Sequence, residues 1–244
     1  MNADGRGSED RSSRPLVAVL DYRMGNLRSM RTSLERAGAE VRIATGPEGL
    51  AGADGLVLPG VGAFAPAMRN LAEQGLVDPV LEWARADRPF LAVCVGMQLL
   101  FEESEECEER DGGDAYANPK GLGLVSGLVS RLPEGSTIPE MGWNTVELTA
   151  AAAESPYGDS LADGGYYYFA HSYCARAADP GAVLATTGYG VEFASVVGSG
   201  RMIATQFHPE KSAEVGARLL RRFVEICDKT ETTKAPRAAN GDKG

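Results

Sequence analysis

The chain has 244 residues, 43% of them hydrophobic and 24% charged, with a formal net charge of −10. That length accommodates one α/β domain, or two small ones, around a sizeable core, and the composition is that of an ordinary globular protein. The acidic balance, with no basic cluster, argues against a binder of nucleic-acid phosphates, and no apolar run approaches the roughly 18–20 residues of a membrane span.

Residues 1–14 are polar, carry charges of both signs and lack the apolar core of a secretory signal; they read as a disordered tail. Leu16–Leu20 is a continuous apolar run, suited to a strand covered on both faces. Asn26 is placed to cap a helix in which Leu27, Met30, Leu34 and Ala37 recur at helical spacing, and Gly38 ends it. Val41–Ala44, Leu56–Leu58 and Phe90–Cys94 are further strand candidates. Strands alternating with helices predict a doubly wound, mostly parallel sheet with helices on both faces. Glu102–Asp111 sets seven acids against Arg110. It reads as a solvated helix end running into a loop, without the His or the Asp/Gly spacing of a metal site, so neither metal nor cofactor is expected. Beyond about residue 120 the runs Val125–Leu132, Ile138–Leu148, Tyr166–Tyr173, Val183–Thr187, Val191–Val197 and Met202–Phe207 are strand-like and separated by Gly and Pro. They predict an antiparallel extension of the sheet. A last helix, Ala213–Cys227, turns Val215, Leu219, Phe223 and Ile226 to one face. Residues 228–244 read as a second disordered tail, which leaves one domain over 15–227. Cys94, Cys107, Cys174 and Cys227 are scattered, with no CxxC pair, so a reducing compartment, the cytoplasm, is expected.

The segment Phe90-Leu-Ala-Val-Cys94-Val-Gly96-Met-Gln98 carries the strongest chemical signal. A strand ends at Cys94 and a helix begins at once, with Ala92 two residues before and Gly96 two after. Such a turn resembles a nucleophile elbow, where large neighbours would clash. A helix N-terminus there would favour thiolate over thiol, and the N–H of Val95 is placed to meet an oxyanion. Gln98, one turn on, falls on the same face as Cys94. A buried, inert strand-end cysteine is the competing reading. A thiolate needs a base, and the base an orienting group. The chain has two histidines. His208 precedes Pro209, which biases it toward extended geometry and brings Glu210 within reach of the imidazole. His171 lies in an aromatic strand with no carboxylate between Asp163 and Asp179, and reads as packed or substrate-adjacent. Leu58-Pro-Gly60-Val-Gly62 follows a strand. It is either a simple turn or a loop that directs the N–H of Val61 or Gly62 toward the cysteine, because ligands gather beyond the carboxyl ends of parallel strands.

Cys94-x-Gly96-x-Gln98, Pro59-Gly-Val-Gly62 and His208-Pro-Glu210, in this order, resemble the class I (triad) glutamine amidotransferases. Asp21-Tyr-Arg-Met-Gly-Asn-Leu-Arg-Ser29, Met141-Gly-Trp-Asn144, Phe169-Ala-His-Ser-Tyr173 and His208-Pro-Glu-Lys-Ser212 narrow the resemblance. It becomes one to the glutaminase subunits of imidazole glycerol phosphate synthases, over roughly residues 16–226. The resemblance implies hydrolysis of glutamine through a thioester on Cys94, with His208 as base and Glu210 as orienting acid. It implies an oxyanion hole at Val61, Gly62 and Val95 and a glutamine site at Gln98, Ser172 and Tyr173. It also implies delivery of ammonia to a (β/α)₈-barrel synthase subunit that meets Asn26, Trp143 and Lys211. Arg23 stands where the family usually has Gly, and Glu140 where His or Gln often precedes Met-Gly-Trp; both fall in segments expected to face the partner. Residues 107–119 look like an insertion. A stand-alone thiol hydrolase of γ-glutamyl amides or peptides, and a silent partner-binding module, are the competing functions.

Overall fold

A computed structural model describes residues 14–106 and 118–228. The two expected tails apart from Arg14 and Asp228, Cys107 and nearly all of the 107–119 insertion lie outside the described residues. The first half runs β1 (Leu16–Leu20), α1 (Leu27–Arg36), β2 (Glu40–Ala44), β3 (Gly55–Leu58), α2 (Phe64–Glu73), α3 (Val77–Arg85), β4 (Phe90–Val93), the single turn α4 (Val95–Gln98) and β5 (Phe101–Ser104). The second half runs β6 (Val125–Arg131), β7 (Glu140–Leu148), β8 (Gly165–His171), β9 (Tyr173–Ala177), β10 (Val183–Gly188), β11 (Glu192–Ser199), β12 (Met202–Thr205) and α5 (Ala213–Cys227).

Among the described residues, β2-β1-β3-β4-β12 form a parallel core, continued by β11, β10, β7 and β8 in antiparallel pairings. The expected doubly wound sheet with an antiparallel extension is the fold observed. β3 and β4 are buried along their whole length, and β1 is buried from Val17 on, because helices cover both faces. The crossover β1-α1-β2 moves one way along the sheet and β3-α2-α3-β4 the other. With right-handed connections, α1 and the α2-α3 pair therefore lie on opposite faces. Asn26 caps α1 as expected, its Oδ1 accepting from the Ser29 N–H at 3.4 Å. No helix among the described residues is long and apolar enough to cross a membrane.

Two expectations are corrected. The acidic run does not begin as a helix end: Phe101–Ser104 is strand β5, parallel to β6. Its carboxylates are occupied, Glu102 accepting from the Gly127 N–H at 2.9 Å, Glu105 from the Arg131 N–H at 3.2 Å, and Glu103 pairing with Lys120 at 2.6 Å. The apolar stretch Tyr166–Tyr173 is not one strand either. It divides at Ser172 into β8 and β9, which pair with different neighbours.

Candidate active site

Cys94 sits at the carboxyl end of β4 with φ 55° and ψ −113°, a left-handed backbone that non-glycine residues rarely adopt. Its own N–H bonds to the Thr205 carbonyl at 2.7 Å, so the strand ladder holds the residue at the point where the chain must turn. The turn is possible because Gly96 and Gly60 lack side chains. A Cβ on Gly96 would lie 2.0 Å from the Leu58 carbonyl oxygen, and one on Gly60 2.5 Å from the Gly96 nitrogen. Gly96→Ala is therefore expected to destabilise the fold by about 2–3 kcal/mol, read as a lower urea midpoint, and to misplace the sulfur as well. The helix after Cys94 has only four residues. It carries little macrodipole, so the expected helix-terminal contribution is small.

His208 comes three residues after β12, the strand paired in parallel with β4, and this adjacency brings it to Cys94. Its backbone N–H bonds to the Tyr168 carbonyl at 2.9 Å, and Ser212 Oγ donates to its carbonyl at 2.7 Å while accepting from the Tyr168 N–H. His208 is extended, as expected before Pro209, but Pro209–Lys211 is a 3₁₀ turn; the turn, not an extended chain, brings Glu210 back to the ring. Glu210 Oε1 lies 2.9 Å from His208 Nδ1, with both side chains almost fully buried. The carboxylate can only accept, so Nδ1 carries the proton and Nε2 is left to face Cys94. Burial alone would lower the imidazole pKa. Hydrogen bonds to Cys94 and Glu210, together with their negative charges, outweigh it and push the value up to about 10. The stabilisation from His208 is then complete below its ordinary value of about 6.5 and is lost as pH rises through about 10. The melting-temperature advantage of the native chain over His208→Asn should accordingly shrink between pH 7 and pH 10.5. Burial pushes the Cys174 thiol up to about 11 and raises Cys227 as well, so both are held as neutral thiols.

Cys94 and His208 open on a cavity of about 260 Å³, whose wall includes every other residue expected at the oxyanion and glutamine sites: Val61, Gly62, Val95, Gln98, Ser172 and Tyr173. The glycine loop is anchored by Tyr22, whose hydroxyl donates to the Pro59 carbonyl at 2.6 Å, and Gly62 takes a left-handed φ of 95°. Gln98 is buried, and its Nε2 donates to the Tyr173 carbonyl at 2.9 Å. Lys211 reaches the cavity wall, while Asn26 and Trp143 are exposed outside it. Val61, Met141, Trp143 and Tyr166 form the chain's large exposed apolar residues among those described.

Sequence reasoning missed two features. Glu106 lines the same cavity, and its Oε2 accepts from the Phe64 N–H at the start of α2 at 2.8 Å; burial raises its pKa despite that bond. The charge run concealed it, because a carboxylate among six others carries no signal of its own. His171, moreover, has a carboxylate: the β7-β8 register sets Glu140 opposite it, and Glu140 Oε2 lies 3.0 Å from Nε2, both side chains buried. Glu140 is thus an interior partner of His171 and Asn144, not a residue facing outward. Arg23 is exposed and has a φ of 66°, a left-handed conformation that favours glycine.

The model of class-I glutamine amidotransferases matches residues 18–227, and the chain belongs to that family. Within it, the chain is 45% identical to the imidazole glycerol phosphate synthase subunit HisH of Synechococcus sp. (strain JA-2-3B'a(2-13)), over 91% of this chain and 98% of that one. It is 44% identical to the HisH subunit of Dehalococcoides mccartyi (strain ATCC BAA-2266 / KCTC 15142 / 195), over 86% of this chain and 97% of the relative. Among solved structures it resembles a glutamine amidotransferase (TM-score 0.64, 24% identity, 86% and 98% of the two chains). It also resembles PurLQS from Thermotoga maritima (TM-score 0.65, 18% identity, 91% and 100%); at these identities both establish the fold.

Proposed function

We propose that residues 15–227 are the glutaminase unit of an imidazole glycerol phosphate synthase, hydrolysing glutamine and passing ammonia to a (β/α)₈-barrel synthase subunit in histidine biosynthesis. The observation that carries this reading is the buried Cys94–His208–Glu210 arrangement opening on one cavity, in a chain similar to HisH subunits over nearly its whole length.

In this reading the Cys94 sulfur attacks the side-chain amide carbon of glutamine, and His208 Nε2 takes the thiol proton. The tetrahedral oxyanion is held by the N–H of Val95 and by one from the Val61–Gly62 loop; losing one such donor typically costs about 10²–10³ in rate. His208 then protonates the departing nitrogen, ammonia leaves and a γ-glutamyl thioester remains. Water, deprotonated by the same imidazole, attacks the thioester and releases glutamate. Glu210 keeps the imidazole in the productive tautomer throughout.

Glu106 is a carboxylate on the cavity wall whose pKa burial has raised, a state that an arriving ammonium group would relieve. It suits the α-amino group of glutamine. Glu106→Gln, which can still accept from Phe64, is expected to raise KM for glutamine roughly ten-fold or more with little change in kcat.

Asn26, Trp143 and Lys211, with the apolar residues Val61, Met141 and Tyr166, form the face on which we place the synthase subunit. Ammonia release measured with and without that subunit and its nucleotide ligand tests the assignment. Strong stimulation by the pair is expected; full turnover by the isolated chain would favour a stand-alone thiol hydrolase.

A further inference from the structure

Gln206 is fully buried immediately after β12, its backbone N–H fixed to the Ser195 carbonyl at 2.9 Å. Its side chain lies in a chain of three contacts. Gln98 Nε2 donates to the Tyr173 carbonyl at 2.9 Å and to Gln206 Oε1 at 3.1 Å, and Gln206 Nε2 donates to Cys94 Sγ at 3.8 Å, a long hydrogen bond to sulfur. The polarity of this chain is forced. The Tyr173 carbonyl can only accept, so Gln98 must present its amide nitrogen; the second proton of that nitrogen must find an acceptor, which fixes Gln206 Oε1 toward Gln98. What remains for the sulfur is the Gln206 N–H. Flipping either amide would set two acceptors, or two donors, face to face.

The sulfur has a second neighbour, the Ala170 carbonyl, also at 3.8 Å. That oxygen can accept a hydrogen bond from the thiol but opposes a thiolate, because both would then offer only lone pairs. The Gln206 N–H has the opposite preference. It remains useful after the proton has gone to His208, when the Ala170 contact turns repulsive.

We propose that Gln206 is a further catalytic residue, a hydrogen-bond donor to the Cys94 thiolate, aimed at the sulfur by Gln98 from the wall of the substrate cavity. This rests on Cys94 being the nucleophile. It links occupancy of the site to thiol ionisation, since Gln98 and Tyr173 both line the cavity while Gln206 lies behind it.

The test is the pH dependence of Cys94 alkylation by iodoacetamide in the full chain, read on the Cys94 peptide by mass spectrometry. Gln206→Met should move the midpoint upward by about one pH unit, the effect of one lost neutral hydrogen bond to the charged form. Gln98→Met should move it the same way by less, and the double variant should match Gln206→Met alone, because the two residues act in series. An unmoved midpoint in a Gln206→Met protein with a native melting profile overturns the proposal, as do additive shifts. If Gln206→Met does not fold, Gln98→Met decides: an upward shift supports the chain of contacts and an unmoved midpoint overturns it. Cys94→Ala separates the two levels. Ammonia release surviving that substitution overturns the nucleophile reading itself, whereas its loss together with unmoved midpoints overturns only the role of Gln206.

Discussion

Cys94→Ala is expected to lower glutamine hydrolysis by roughly 10⁴-fold or more, measured as ammonia release in the presence of the synthase subunit. The physical reason is that, among the described residues, no other thiol can take over. Cys174 and Cys227 are buried with their thiols pushed toward the neutral form. The binding cavity and the oxyanion donors would survive the change, but they hold a substrate that nothing attacks. The fold should also survive. Alanine is smaller than cysteine and meets the same left-handed backbone, so the melting temperature should stay within about 4 °C of the native value.

Glu210→Gln is expected to cost about 10²–10⁴ in kcat with a much smaller effect on KM. The carboxylate lies 2.9 Å from Nδ1 and is almost fully shielded from water, so its charge acts on the imidazole with little screening. A glutamine amide is nearly the same shape but neutral. It can present its NH₂ group to Nδ1, which would move the ring proton to Nε2 and leave no lone pair for the thiol. Loss of the negative charge also removes one of the influences holding the imidazole pKa up, so the pH profile of kcat should shift to lower pH. The measurement is the pH dependence of kcat in native and variant enzymes.

The parallel core was legible because its strands are buried on both faces, so that Leu16–Leu20, Leu56–Leu58 and Phe90–Val93 read as unbroken apolar runs. Helices α2 and α3 were harder to see: each is short and has a proline at its third residue, Pro66 and Pro79, where a helix tolerates it but a periodic pattern is interrupted. Strand β5 carries no strand signal in the sequence because what fixes it is non-local. The carboxylates of Glu102 within it and Glu105 just beyond it are answered by backbone N–H groups of Gly127 and Arg131, more than twenty residues away. The meeting of Cys94, His208 and Glu210 was legible from spacing, since a cysteine in an elbow and a histidine two residues before a glutamate each point to the other. Glu140 beside His171 was not, because it depends on the register of β7 against β8. Gln206 was hidden for a similar reason. Its meaning comes from the direction in which Gln98 and the Tyr173 carbonyl turn its amide.

The most direct measurement of the central claim is an acid quench of the enzyme during turnover of isotopically labelled glutamine, followed by peptide mass spectrometry. The account predicts one γ-glutamyl group carried by the peptide containing Cys94, formed in the native enzyme and missing from Cys94→Ala. Continued ammonia release with the label on a different residue, or with no covalent adduct at any point of the time course, would contradict it.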